Sequence, residues 1–314
     1  MLSAIKSFLS SIHVLLLCSL VLAPISCLAE NLKVTVLLSN SSSPYLSFAN
    51  KLRKSLPESI QASVLEFPDQ LPLDTHQADL VVAVGIKATE LAVTQTNRPV
   101  LAVMVPQAGY EDLLAQALPK KTAPAISAIY LNQPWDRQLD FLHAALPDRH
   151  KIGLLFSSST HIDITHLRRK VADRNGSLVT QLVHSTGGLF AALERVLKDS
   201  DLLMAVPDSM IYSNSNIRNI LLTSYHHGIP LVGLSQSYVT AGALCAIFST
   251  PEQLAEQTSS AVISFARTKE LPDSQYPVEF TIGINQQVAR SLDIELPSPE
   301  MIRSQIDKAG GEKR

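Results

Sequence analysis

The chain has 314 residues, 26 basic against 28 acidic side chains for a formal net charge of −2, and 46% hydrophobic residues. Its basic residues are scattered along the sequence, which excludes a nucleic-acid-binding surface. The length exceeds one ordinary hydrophobic core and accommodates two α/β lobes.

Residues 1–29 carry one basic residue, Lys6, then an apolar run over 14–22, then Cys27-Leu28-Ala29 ahead of Glu30. A short apolar run followed by small residues at the first and third positions before a cut is a secretory signal rather than a membrane span. Cleavage is therefore expected after Ala29 and the mature protein is expected in the periplasm. Lipidation at Cys27 is the rival reading, against which stands Pro24 where a lipoprotein signal usually has leucine. Beyond Glu30 no apolar run approaches the ~20 residues needed to cross a bilayer. With Cys18 and Cys27 in the leader, Cys245 is the cysteine left to the mature chain, so no intramolecular disulfide is expected. Lying in Ala243-Leu-Cys-Ala-Ile-Phe248, it reads as a small buried hydrophobe.

Strand-like runs at 33–38, 62–65, 79–84, 99–104 and 126–130 alternate with segments such as 45–56 and 86–94, whose apolar residues fall at helical spacing. This alternation predicts right-handed βαβ units and a parallel sheet. After Asn132-Gln-Pro134 the pattern restarts with a helix over 135–146, a strand over 151–156, a helix over 163–175 and a strand over 177–183. It continues with a helix over 189–198, a strand over 202–206, a helix over 213–226 and a strand over 230–233. Pro134 suits a helix start and Asn175-Gly176 a left-handed helix end. A strand over 243–249 follows, then a helix to 268 opened by Thr250 and Gln253 at capping-box spacing. A strand over 277–284, a short helix over 285–292 and a frayed end at 310–314 complete the chain.

Residues 201–212 and 228–239 are each an apolar run that stops abruptly in small polar residues. A buried parallel strand looks like this when it delivers a loop to the carboxyl edge of its sheet, where ligands bind in open α/β folds. Catalytic signatures fail on inspection. Gly233-Leu-Ser-Gln-Ser237 begins as a nucleophile elbow does but has serine where the second glycine is required. None of the nine histidines stands at the i, i+4 spacing that presents two metal ligands on one helix face. There is no phosphate loop or dinucleotide fingerprint, so no catalytic residue, cofactor or metal is expected.

An ordered set of segments resembles a known family. It comprises Val84-Gly85 with Ala88-Thr89, Ala145-Leu-Pro147 before Lys151-Ile-Gly-Leu-Leu155, and Val206-Pro-Asp208. It continues with Ile229-Pro-Leu-Val-Gly233, Ala241-Gly-Ala-Leu244 and Ile284-Asn285 with Ala289. The chain is similar in these to the substrate-binding proteins of ABC transporters, of the type I periplasmic binding fold, in the group that includes tryptophan- and tyrosine-binding members. The match runs over nearly the whole mature chain, more strongly in its second half, and departs from the family pattern over 38–71.

The resemblance implies an α/β fold of two doubly wound parallel-sheet lobes joined by a hinge, one formed by 30–131 plus 250–269 and the other by 132–249 plus 270–314. It implies crossings near 131–134, 249 and 269–272, with the helix over 251–268 returning to lobe one. It also implies an interlobe cleft that captures a small amino-acid-like or aromatic solute for an ABC permease. The alternative is the same clamshell with a degenerate pocket, a sensor or interaction module docking on another membrane receptor.

The strand ends facing such a cleft supply the candidate ligand contacts: Ser39, Ser42, Gly85, Ser158, Asp208, Tyr212, Ser235 and Tyr238. Hydroxyls and amides at helix starts suit a carboxylate or phosphate, and serve equally as helix caps. Asp208 suits a ligand ammonium and is costly if buried without a partner; the same carboxylate also suits a cap for the helix near 213. Tyr212 and Tyr238 suit stacking on a ring or walling the cleft. Trp135, the only tryptophan, reads as a packing anchor or a ligand contact beside the first crossing.

Overall fold

The computed structural model of the chain describes residues 32–66, 77–117 and 124–311. The expected leader and Cys27 lie outside these residues, as do 312–314 of the expected frayed end.

Five strands, β1 (Leu32–Leu38), β2 (Ile60–Leu65), β3 (Leu80–Val84), β4 (Val100–Val105) and β5 (Ile126–Tyr130), form a parallel sheet in the order β2-β1-β3-β4-β5. β3 reads Leu-Val-Val-Ala-Val and β4 Val-Leu-Ala-Val-Met-Val, with every residue buried, as central strands covered by helices on both faces require. β2 alternates buried and exposed positions because it is an edge strand. The connecting helices are α1 (Ser43–Ser55), α2 (Ile86–Gln95) and α3 (Gln107–Ala117).

The second sheet contains β6 (Lys151–Phe156), β7 (Ser177–Leu182), β8 (Leu202–Met204), β9 (Leu231–Gly233), β10 (Cys245–Phe248) and β11 (Thr281–Ile284), in the order β11-β10-β9-β8-β6-β7. All pairs are parallel except β10 with β11. Around it lie α4 (Trp135–Ala145), α5 (Ile164–Ala172), α6 (Leu189–Lys198), α7 (Ile217–His226) and α8 (Gln236–Ala241). Asn175 takes φ 58° beyond the end of α5, the left-handed turn that Asn-Gly favours.

The next helix, α9 (Pro251–Thr268), leaves the second sheet and packs on the first. Its start carries the capping box in full: Gln253 N–H donates to Thr250 Oγ1 at 3.2 Å, and Thr250 N–H to Gln253 Oε1 at 2.9 Å. Leu254, Ala255, Val262 and Phe265 share one core with Val34, Val36, Phe48 and Leu52, and Ser259 Oγ donates to the Ser55 carbonyl at 3.0 Å. A separate core fills the second lobe, running from Leu139 to Ile306 and taking in Leu154, Leu193, Met204 and Leu244. After β11 come α10 (Gln286–Ser291) and α11 (Pro299–Gly311).

The chain after α9 runs beside the first sheet as far as Gln275 and reaches β11 through 277–280. Tyr130 N–H donates to the Gln275 carbonyl at 2.9 Å and Gln275 N–H to the Ala128 carbonyl at 2.8 Å, so this segment extends the first sheet beside β5. Residues 277–280 link this segment to β11 with a bend at 278–279, so the alternating pattern over 277–284 contains a strand of only Thr281–Ile284.

Three helices were not legible as periodic segments: α3, α8 and α11. The last carried a readable signal, Pro299 at its start and buried Ile302 and Ile306 one turn apart, and it runs on to Gly311 into the expected frayed end. Cys245 is fully buried, and burial pushes its thiol up to about 12, so it is an inert core residue. No helix among the described residues is long and apolar enough to cross a membrane.

Candidate functional site

Between the two sheets lies a cavity of about 230 Å³, walled by both lobes and by the crossing segments. At ~30 Å³ per water this is room for roughly eight waters, the scale of a small solute. A larger hollow of about 630 Å³ is walled by 146–149 and 293–301 of one lobe alone. The smaller cavity is the one whose wall draws on both lobes.

Lobe one contributes the carboxyl end of β4. A bulge shifts the register between Val103 and Val105, with Met104 at φ 56°, and this re-aims the chain so that Pro106 and the first turn of α3 enter the cavity wall. Gln107 organises this side. Its N–H donates to Asn132 Oδ1 at 2.9 Å, its Nε2 donates to Glu111 Oε1 at 2.7 Å, and its Oε1 accepts from the Tyr276 hydroxyl. Tyr276 stacks edge-on to Tyr130 at 5.2 Å, and Tyr130 to Tyr110 at 5.9 Å, so a column of rings backs the wall.

The crossings form the floor. Gln133 is buried; its Nε2 donates to Ser249 Oγ at 2.8 Å, Ser249 Oγ donates to the Glu279 carbonyl, and Arg137 donates to Gln133 Oε1 at 2.6 Å and to the Pro277 carbonyl at 2.7 Å. Trp135, at the start of α4, lines the cavity and also packs against the core of lobe two.

Lobe two contributes the ends of β6 and β8, neighbours where the strand order reverses, the position at which open α/β sheets take ligands. Ser157 and Thr160 form a capping box over one turn of 3₁₀ helix. His161 follows at φ 47° and Asp163 caps α5 by accepting from His166 N–H at 2.9 Å. His161 Nε2 lies 3.2 Å from Asp112 Oδ2 of α3, a partly exposed contact from lobe to lobe.

None of the eight expected contacts lines this cavity. Asp208 is buried, 6% exposed, and binds its own chain: Oδ2 accepts from Ser157 N–H at 3.0 Å, Ser157 Oγ at 2.6 Å and Thr160 Oγ1, while Oδ1 accepts from Met210 and Ile211 N–H at 3.0 and 3.1 Å. It fastens the β6 loop to the β8 loop. The cap read for the helix near 213 is instead this turn over 208–211.

Ser39 Oγ donates to the Val84 carbonyl at 2.8 Å and accepts from Ala88 N–H at 2.9 Å, sealing the point in lobe one where the strand order reverses. Gly85 lies beneath Tyr45 there. Ser42 and Ser158 are exposed, and Ser235 begins α8 without a side-chain cap. Tyr212 is buried, with no hydrogen-bond partner for its hydroxyl, and Tyr238 reaches the Tyr212 carbonyl at 3.5 Å from its position over Gly233.

Val206 and Pro207 fall within the run over 201–212 read as delivering a loop to the carboxyl edge; the residues carrying polar chemistry, Gln107, Glu111, Asn132, His161, Asp163 and Tyr276, were not among the expected contacts. Glu111 and Tyr276 sit outside any strand-end pattern. Asp163 preceding a helical run was a readable cap signal. Among the described residues no group of three or more His, Cys, Asp or Glu is placed to hold a metal ion.

No curated protein matches the chain by sequence. Among solved structures it is similar to a conserved domain protein from Vibrio cholerae, 17% identical, with TM-score 0.63 over 88% of this chain and 98% of that one. It is also similar to an ABC domain in complex with L-Trp from Streptococcus pneumoniae, 16% identical, TM-score 0.62, over 88% and 98% of the two chains. A ligand-free, open substrate-binding protein with adhesive properties from Clostridium difficile is 15% identical, with TM-score 0.64 over 85% and 97%. These likenesses establish the two-lobed periplasmic-binding type I fold. The model for the family described as ABC transporter substrate binding protein matches residues 61–305, which takes in the first sheet apart from β1, the second sheet and the residues that line the interlobe cavity, and the chain belongs to that family.

Proposed function

We propose that this protein is exported by its leader and captures a small amino-acid-like or aromatic solute between its lobes for an ABC permease. The observation that carries the reading is the composition of the cavity wall: the β4–α3 turn from one lobe, the β6 and β8 loops from the other, and the crossings between. Such a wall is complete only when the lobes approach, so a solute that touches both sides shifts the population toward the closed form. Trp135 and Tyr276 offer rings to a planar solute, in keeping with the L-Trp held by the pneumococcal neighbour. The lobes are proposed to turn on the three crossings joined through Gln133 and Ser249.

A thermal-shift screen of the mature protein over amino acids, amines, nucleobases, sugars and small acids tests the reading. A captured solute at a hundred times its Kd stabilises by ~2.7 kcal/mol, a shift of a few degrees for a protein of this size. Stabilisation by no solute class contradicts capture.

A further inference from the structure

We infer that the interlobe cavity is built for a solute that carries an amine, or another organic cation, and no acid group; this rests on the solute-capture reading and narrows it. Two carboxylates enter the wall, Glu111 from lobe one and Asp163 from lobe two, and no lysine or arginine does. Neither carboxylate is in an ion pair among the described residues. Glu111 is aimed by a neutral relay: the Tyr276 hydroxyl donates to Gln107 Oε1, and Gln107 Nε2 donates to Glu111 Oε1 at 2.7 Å. The amide that holds it at Oε1 is neutral, and Glu111 stands in the cavity wall without an ion-pair partner among the described residues.

One amide donor at each of the helix starts beside the cavity is already taken. Two helices begin at the cavity, and a helix start is the ordinary place to receive an anion. In α3 the Gln107 N–H is occupied by Asn132 Oδ1 at 2.9 Å, and in α5 the His166 N–H is occupied by Asp163 Oδ1 at 2.9 Å. The second of these caps is itself an anion. Of the two imidazoles in the wall, His161 pairs with Asp112, and His166 Nδ1 faces the Arg169 guanidinium at 3.3 Å. A carboxylate entering this space meets like charge from Glu111 and Asp163, whereas an ammonium meets acceptors in both. Trp135 and Tyr276 add ring faces that attract a cation and accept its apolar body.

The test is calorimetric titration of the mature protein with two matched series, each a cation, a zwitterion and an anion on one skeleton: tryptamine, tryptophan and indole-3-propionate, then pentylamine, norleucine and hexanoate. The expected order in at least one series is amine first, zwitterion about tenfold weaker and acid weakest, with Glu111→Gln costing the amine about tenfold and the acid nothing. Tightest binding by a zwitterion or an acid overturns the inference, as does an equal loss for all three in Glu111→Gln. Binding of a sugar or nucleobase with neither series bound overturns it too, while leaving solute capture standing. If no solute of any class binds, capture itself fails and the inference falls with it. Glu111 is exposed, so Glu111→Gln is expected to unfold at the parent's temperature, and a thermal melt of the free variant separates lost binding from lost folding.

Discussion

Gln133 Nε2 donates to Ser249 Oγ at 2.8 Å, and this one bond ties the first crossing between the lobes to the second. Ser249 passes the connection to the third crossing through the Glu279 carbonyl, and Arg137 closes the circuit from Gln133 Oε1 to the Pro277 carbonyl. Three chain segments far apart in sequence thus share one polar knot, and both Gln133 and Ser249 are under 7% exposed. Each of the three segments is held to the other two by hydrogen bonds.

Ser249→Ala leaves the Gln133 amide and the Glu279 carbonyl without their partner. Such a loss costs about 1–3 kcal/mol when the groups are buried. Urea unfolding is expected to show that loss in the unfolding free energy. Ser249→Thr, which keeps the hydroxyl, is expected to recover part of it. Unchanged stability in Ser249→Ala would show that the knot contributes nothing.

Asp208 makes the fold sensitive to acid. Burial by itself raises its carboxyl, but hydrogen bonds from Ser157, Thr160 and the Ile211 amide outweigh burial, so the folded-state pKa lies below the ordinary value of 3.8. A depressed carboxyl stabilises the fold in full above its unfolded-state pKa, and that contribution is lost as pH falls through the folded-state value. Asp208→Asn presents an amide to donors from Ser157 and Thr160 and is expected to cost about 2–4 kcal/mol at neutral pH. Its unfolding free energy is expected to decline less steeply than the parent's below about pH 4. Parallel pH profiles for the two proteins would remove Asp208 from this role.

Gly85 stands at φ 85°, where an added Cβ would lie 2.5 Å from Tyr45 Oη and 2.7 Å from Ser39 Oγ. Gly85→Ala is therefore both strained in its backbone and crowded, and a loss of about 1–3 kcal/mol is expected in chemical unfolding. Binding of a solute to the folded fraction is expected to be unchanged, since Gly85 does not line the cavity. The reverse pattern, normal stability with lost binding, would restore Gly85 as a ligand contact.

The architecture was largely legible in the sequence and the site was not, for a physical reason visible at Ser39 and Asp208. Apolar runs such as 80–84 and 100–105 announce buried parallel strands through composition alone, and the restart after Pro134 announces a second sheet. Strand ends announce a carboxyl edge, yet a serine or aspartate there reads the same whether it greets a ligand or staples two loops. Asp208 found five donors within its own chain, and Ser39 was drawn into the Val84 carbonyl and the Ala88 amide. What moved the cavity away from the reversal point in lobe one was the Tyr45 ring seated over Gly85, together with the bulge at Met104 that turns α3 inward. Neither leaves a periodic trace. Glu111 and Tyr276 meet through Gln107 across a sequence separation that no local pattern encodes.

Hydrogen exchange of the mature protein, with and without whichever solute most raises its melting temperature, tests the account most directly. Protection is predicted in segments 105–111, 131–135, 160–167 and 206–207 on both lobes together, with little change in 39–43 or 235–239. Protection confined to one lobe, or centred on 39–43 and 235–239, would contradict capture in the cavity between them.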